Sequence, residues 1–216
     1  MKPFPETPAG IIFDLDGTLL DTEPLYTEAA QKVLDPYGHT YTLELKRRVM
    51  GGDSVRSAQL TIDEFDLPMS AEEFLARRES HLERLFPHAA EITGAGSYLK
   101  HVADQGVPIG LATSSHSHLC ELKIGQRAWK QLFSTVVCGD DTALINSKPA
   151  PDIFLLCADR MAIDPENVIA FEDSRNGIEA AKAAGMFVVA MESPYTLPDD
   201  LQGADMIAKD YLALIT

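Results

Sequence analysis

Five short stretches of the chain are apolar at nearly every position: GIIFDLD (Gly10–Asp16), VPIGLAT (Val107–Thr113), TVVCGDD (Thr135–Asp141), NVIAFED (Asn167–Asp173) and MFVVAM (Met186–Met191). Short runs without polar alternation predict strands buried on both faces of a parallel sheet. Helical spacing fills the intervals at Ala95–Gln105, Ser115–Gln126, Pro151–Met161 and Asn176–Ala184. Pro151 suits a helix start, where its missing N–H costs nothing, and Gly185 suits a helix end, where a left-handed residue is wanted. Alternating strands and helices predict a doubly wound α/β core with five parallel strands.

The first strand stands apart from the other four. The residues after it read as helices alone, at Glu23–Leu34, Leu43–Val49, Val55–Phe65 and Ala71–Leu85. Pro36-Tyr37-Gly38, Gly51-Gly52 and Leu67-Pro68 punctuate them. Ser70 and Glu73 have the S-x-x-E spacing of a capping box. The expected organisation is an α/β core of residues 1–21 and 91–216, with an all-helical cap, residues 22–90, inserted over the carboxyl edge of the sheet.

Composition narrows the classes. The 216 residues are 45% apolar and 24% charged, enough for a buried core. No run approaches the ~18 apolar residues of a membrane helix, and the start, MKPFPETP, does not read as a signal peptide. With 18 basic and 33 acidic residues the net charge is −15, which disfavours nucleic acid polymers and anionic membrane. A phosphate group would need a local site that overrules the global sign. Cys120, Cys138 and Cys157 are odd in number and lack C-x-x-C spacing, so free thiols in a reducing compartment, the cytoplasm, are expected. The chain is expected to work as a monomer.

In open α/β sheets ligands sit beyond the carboxyl ends of the strands. The first four runs deliver Asp14, Asp16, Gly17 and Thr18 there, then Thr113, Ser114 and Ser115, then Asp140, Asp141 and Lys148-Pro149, then Glu172 and Asp173. Asp14 and Asp16 at i and i+2 would share a strand face, where two carboxylates need a cation or a shared proton. With Glu172 and Asp173 they form a set of hard oxygen donors suited to Mg²⁺, which keeps open positions for a substrate phosphate. The glycine is fourth in the D-x-D-G stretch, not sixth as an EF-hand requires. Thr113 could donate its hydroxyl to a phosphate, and Lys148 could supply a compact positive charge. Gly94-Ala95-Gly96 lacks the third glycine of a dinucleotide fingerprint and no Walker A loop is present, which disfavours nucleotide-dependent kinase or dehydrogenase chemistry.

FDLDGTLLDT, ATSS, SKPAPD and FEDSRNG, in this order, resemble the four motifs of the haloacid dehalogenase-type (HAD) phosphatases, and the resemblance covers essentially the whole chain. It implies a Rossmann-like parallel-sheet core with a helical cap, and a Mg²⁺-dependent phosphomonoesterase acting on a small phosphorylated metabolite. It implies Asp14 as the nucleophile that becomes an aspartyl-phosphate, and Asp16 as the general acid and then base. By the same resemblance Thr113, Ser114 and Lys148 hold phosphoryl oxygens. Asp173, with Glu172 beside it, binds Mg²⁺ together with Asp14 and the backbone carbonyl of Asp16. The mutase pattern within this family would carry a His where Tyr26 stands and an Arg near Ser54, so hydrolysis is favoured over phosphoryl shuttling.

Four other features have plain readings. His116 and His118 at a helix start point apart and do not form a metal pair. Asp140 and Asp141 are either anchors for Lys148 or for the metal site, or a strand-end turn. Arg47, Arg48, Arg56, Arg77, Arg78 and Arg84 belong mostly to solvated helix faces of the cap, with one or two available to a substrate. Trp129 and Phe133 pack in the core.

Overall fold

The structure, a computed structural model, describes residues 4–5, 7–49 and 54–215; Met50 to Asp53, and with them the Gly51-Gly52 break, lie outside the described residues. In chain order the elements are β1 (Gly10–Phe13), β2 (Leu20–Asp21), α1 (Glu23–Leu34), α2 (Leu43–Val49), α3 (Ser54–Phe65), α4 (Ala71–Leu85), β3 (Ala90–Glu91), α5 (Ala95–Asp104), β4 (Ile109–Thr113), α6 (Ser117–Ile124), β5 (Phe133–Cys138), α7 (Asp152–Arg160), β6 (Val168–Glu172), α8 (Arg175–Ala183), β7 (Phe187–Met191) and β8 (Met206–Ala208). They fall into two compact units: Met1–Asp21 with Ala90–Thr216, and Thr22–Ala89.

The first unit is built on one parallel sheet with strand order β5-β4-β1-β6-β7-β8. It has six strands where the apolar runs predict five. The added strand, β8, is three residues long, lies at the edge and leaves Ile207 exposed, so it carries no buried apolar run to read. The four inner strands β1, β4, β6 and β7 are buried at every residue, as the unbroken apolar runs require. Alternation in β1 sends its side chains to two different layers. Ile12 joins Ala170 and Val188 in a cluster with Phe154 and Cys157 of α7 and Ile178 of α8. Phe13 stacks on Phe171 with ring centroids 4.8 Å apart, and Tyr98 of α5 and Tyr211 close the group. The Tyr211 hydroxyl then donates to the Thr18 carbonyl at 3.1 Å, pinning the loop after β1.

That loop is followed by β2, which pairs antiparallel with β3; Asp21 stands opposite Ala90. Two-residue strands have no hydrophobic period, and the sequence pattern does not reveal this ribbon.

The second unit is helical. Ala30, Val33 and Leu34 of α1 pack with Ala58 and Ile62 of α3 and Phe74 of α4. Ser70 caps α4, accepting from the Glu73 N–H at 3.2 Å. Glu73's carboxylate instead accepts from Arg77 at 2.6 Å, an i,i+4 pair on the exposed face. Lys46 is buried; its ammonium donates to the Glu23 carbonyl and to Thr27 Oγ1, and pairs with the Glu23 carboxylate at 3.0 Å. Arg48 pairs with Glu64, and Arg78 lies 5.7 Å over the Tyr26 ring. Among the described residues no helix is long and apolar enough to cross a membrane, and all three cysteines are free thiols.

Candidate active site

β1 is the central strand of the motif-bearing edge, flanked by β4 and β6. Its last residue is Phe13, so Asp14 is the first residue beyond the strand; its N–H still donates to the Phe171 carbonyl at 2.9 Å. This places the Asp14 side chain between the ends of its two neighbours. Lys148 enters from the loop after β5. Its ammonium donates to Asp14 Oδ1 at 2.6 Å, Glu172 Oε1 at 2.6 Å and the Ala112 carbonyl at 3.1 Å, which engages all three of its hydrogens. Both Asp14 and Glu172 are buried, and Phe154 covers the ammonium from 4.9 Å.

Asp173 completes an acid group: one carboxylate oxygen each from Asp14, Glu172 and Asp173 lies within 4.8 Å of the others. Thr18 Oγ1 donates to Asp173 Oδ1 at 3.3 Å. Gly17, at φ +80°, lies against Asp173, and a Cβ there would collide with its carboxylate. The second oxygen of Glu172 is fully engaged by the N–H groups of Asp173 and Ser174 and by the Ser174 hydroxyl. Ser174 also caps α8 through the Gly177 N–H at 3.1 Å. Glu172 thus ties Lys148 to the turn that carries Asp173.

One lysine cannot balance this many acids. The Asp14 carboxyl is raised to about 7: burial pushes it up most, Lys148 pulls it down, and Glu172 and Asp16 push it up. Burial, then Glu172 and Asp14, hold Asp173 well above the usual carboxylate range. Burial alone would lower Lys148; Asp14 and Glu172 outweigh it and raise the ammonium above its ordinary value. A divalent cation with hard oxygen preference fits this donor set.

Asp16 goes elsewhere. Because β1 stops at Phe13, the i,i+2 pair does not share a strand face as expected. The Asp16 carboxylate accepts from Lys123 at 2.6 and 2.7 Å and from the Ser115 hydroxyl at 2.8 Å. Its side chain is not part of the acid group within 4.8 Å; the expectation of a metal contact concerned its backbone carbonyl. Thr113 is buried at the end of β4, its hydroxyl oxygen accepting from the Ser115 N–H at 3.1 Å, while Ser114 is exposed. Gly139 lies so close to the Ser114 carbonyl that a Cβ there would collide with it, and its N–H donates to the Ser115 carbonyl.

Asp140 and Asp141 are not anchors for Lys148. Asp140 accepts from the Ser117 N–H and hydroxyl, capping α6. Asp141 pairs with Arg160 of α7. The sequence brings Ser115 to this edge but gives it no role, and it does not single out Lys123. The available signal is that Lys123 follows Cys120 by three and precedes Ile124, which places a charge on the buried stripe of α6.

Residues 11–191 match the haloacid dehalogenase-like hydrolase family. A Drosophila melanogaster protein described as a probable pseudouridine-5'-phosphatase is 44% identical over 187 residues, covering 85% of this chain and 81% of its own. The mitochondrial (DL)-glycerol-3-phosphatase 1 of Arabidopsis thaliana is 42% identical over 187 residues, covering 83% of this chain and 62% of its own. A solved structure from Thermotoga maritima, described as a candidate β-phosphoglucomutase, superposes with a TM-score of 0.81 at 33% identity, covering 93% of this chain and 94% of its own. The chain belongs to the haloacid dehalogenase-like hydrolases. It is a phosphoric monoester hydrolase of that family.

Proposed function

We propose that this enzyme is a Mg²⁺-dependent phosphatase of small metabolites that works through an aspartyl-phosphate on Asp14. A nucleoside or sugar monophosphate, pseudouridine 5'-phosphate first, is the proposed substrate. The observation that supports the mechanism most strongly is the seat of Asp14: a buried carboxylate at the end of the central strand, 2.6 Å from Lys148 and grouped with Glu172 and Asp173. The similarity to the Drosophila melanogaster protein supports the substrate.

An oxygen of Asp14 attacks phosphorus and the bond to the ester oxygen breaks. Asp16 gives its proton to the departing alcohol. Asp16 then takes a proton from water, whose oxygen attacks the aspartyl-phosphate and releases orthophosphate, restoring Asp14. Thr113, Ser114 and Lys148 hold phosphoryl oxygens. Asp14, Asp173 and the Asp16 carbonyl would hold Mg²⁺, which supplies the positive charge that lets a carboxylate approach a phosphate dianion. Glu172 acts beside them by holding Lys148 and the Asp173–Ser174 turn.

The test is a phosphate-release screen across nucleoside, sugar and polyol monophosphates, run with Mg²⁺ and with excess EDTA. Mg²⁺-dependent release, highest for pseudouridine 5'-phosphate, is expected. Full activity in chelator would remove the metal, and a better polyol or hexose substrate would replace the nucleotide. The resemblance to the Thermotoga maritima structure also favours a second reading, a phosphosugar mutase. Isomer formed from a hexose phosphate faster than free phosphate would establish it. A non-catalytic phospho-ligand binder is disfavoured, because such a protein could dispense with Asp14 or Asp16 and both are present.

A further inference from the structure

Lys123 is a cation in an interior position. Its side chain is 0% exposed, whereas that of Asp16 is 26% exposed. A buried ammonium is costly unless its hydrogens are taken. Here they are taken by one carboxylate and one hydroxyl: Asp16 Oδ1 at 2.6 Å, Asp16 Oδ2 at 2.7 Å and Ser115 Oγ at 2.8 Å. The Ser115 hydroxyl, having accepted from Lys123, donates its own hydrogen to Asp16 Oδ2 at 2.8 Å. The three groups form a closed triangle. Ser115 is itself fixed, since its N–H donates to Thr113 Oγ1 and its carbonyl accepts from the Gly139 N–H.

This triangle joins three parts of the core. Asp16 lies in the turn after β1, Ser115 in the loop after β4 and Lys123 on the inner face of α6. A carboxylate on a turn ordinarily has free rotation about two bonds. Contacts to both oxygens from two elements leave it one orientation, and holding a proton-transfer group in one orientation is a recognised contribution to rate. Lys123 sits among buried apolar helix neighbours, Cys120 and Ile124, so its charge is placed there against the burial cost.

We propose that Lys123, assisted by Ser115, is a positioning residue that fixes the direction of the Asp16 carboxyl, which takes up a proton from water on its exposed side and then passes it to the leaving oxygen of a phosphoester. The proposal rests on the reading of Asp16 as the general acid. It acts through Asp16 alone and assigns Lys123 no contact with substrate. Its signature is a dependence on the leaving group: an ester whose alcohol departs easily needs little proton assistance, and one whose alcohol departs with difficulty needs much.

The test uses Lys123→Met and the milder Ser115→Ala, assayed with phenyl phosphate and p-nitrophenyl phosphate. Values of kcat/KM are compared, because they report the steps up to departure of the alcohol. In Lys123→Met, kcat/KM for phenyl phosphate is expected to fall about 10-fold more than for p-nitrophenyl phosphate, a part of the roughly 10²–10⁴-fold that a general acid contributes, because Asp16 itself remains. Inhibition by orthophosphate is expected to stay unchanged, since Lys148 and Thr113 are untouched. Ser115→Ala is expected to shift the same ratio in the same direction by less, and it carries the test if Lys123→Met does not fold. Equal losses for the two esters, a weakened orthophosphate inhibition, or no loss would overturn the proposal. Wild-type inactivity toward both esters, or turnover surviving in Asp14→Asn, would instead count against the phosphatase reading.

Discussion

Lys148 and Asp14 meet at 2.6 Å in a part of the core that solvent barely reaches, and the same ammonium holds Glu172 at the same distance. Removing Lys148 leaves two buried carboxylates facing each other with no cation. Lys148→Met is therefore expected to destabilise the fold by about 3–5 kcal/mol, the usual penalty for orphaning buried charge. Urea unfolding at pH 8 checks this. Phosphate release should fall by about 100-fold or more, as when a preorganised electrostatic partner is lost.

Asp14→Asn keeps the shape of the side chain and takes away its nucleophilicity. Release of phosphate should vanish from every phosphomonoester tested. Circular dichroism should be unchanged, because Asn can still accept from Lys148 and one negative charge leaves a crowded acid group. Turnover at the wild-type rate would end the aspartyl-phosphate account.

The acid group should make stability depend on pH and on Mg²⁺ together. Asp14 lies near pH 7 in the folded chain, against about 3.9 when unfolded. Between those values the folded state holds a proton that the unfolded state has released. In the metal-free protein this group therefore favours folding more as the pH falls from about 7 toward 4. A proton and a divalent cation compete for the same carboxylate, so stabilisation by Mg²⁺ should grow from pH 6 to pH 8. At 100 times its dissociation constant the ion would add about 2.7 kcal/mol. Melting temperatures with Mg²⁺ and with EDTA at both pH values give the comparison; an equal or smaller Mg²⁺ effect at pH 8 would contradict it.

Gly177 offers a purely steric test. Glycine inside a helix ordinarily gives up to ~1 kcal/mol when changed to alanine. Here a Cβ would fall on the Glu172 carboxylate, which Lys148 and the Asp173–Ser174 turn already hold in place. The collision should win: Gly177→Ala is expected to destabilise by about 1–3 kcal/mol, as overpacking does, and to lower activity by displacing Glu172. Chemical denaturation and the phosphate-release assay read the two effects.

The parts of this design that sequence reveals share a physical cause. β1, β4, β6 and β7 are buried on both faces, so their interiors are apolar, and the ends of β4 and β6, at Thr113 and Glu172, mark where polar groups gather. β8 escapes notice because an edge strand of three residues can leave Ile207 in solvent. Asp14 and Asp16 look like a pair because they are two residues apart. Only the end of β1 at Phe13 reveals that they turn to different lysines. Lys123 is legible as an anomaly on α6, but its partner is 107 residues away and no local pattern names it. Asp140 and Asp141 resemble site acids by position and are spent on Ser117 and Arg160 nearby.

The Leu20–Asp21 and Ala90–Glu91 ribbon bounds one long excursion of the chain. Asp21 and Ala90 are cross-strand partners, so everything from Thr22 to Ala89 occupies the place of a single hairpin's connecting turn. Asp14, Lys148 and Asp173 all belong to the strand-bearing unit, so the elements that set their spacing lie outside the excursion.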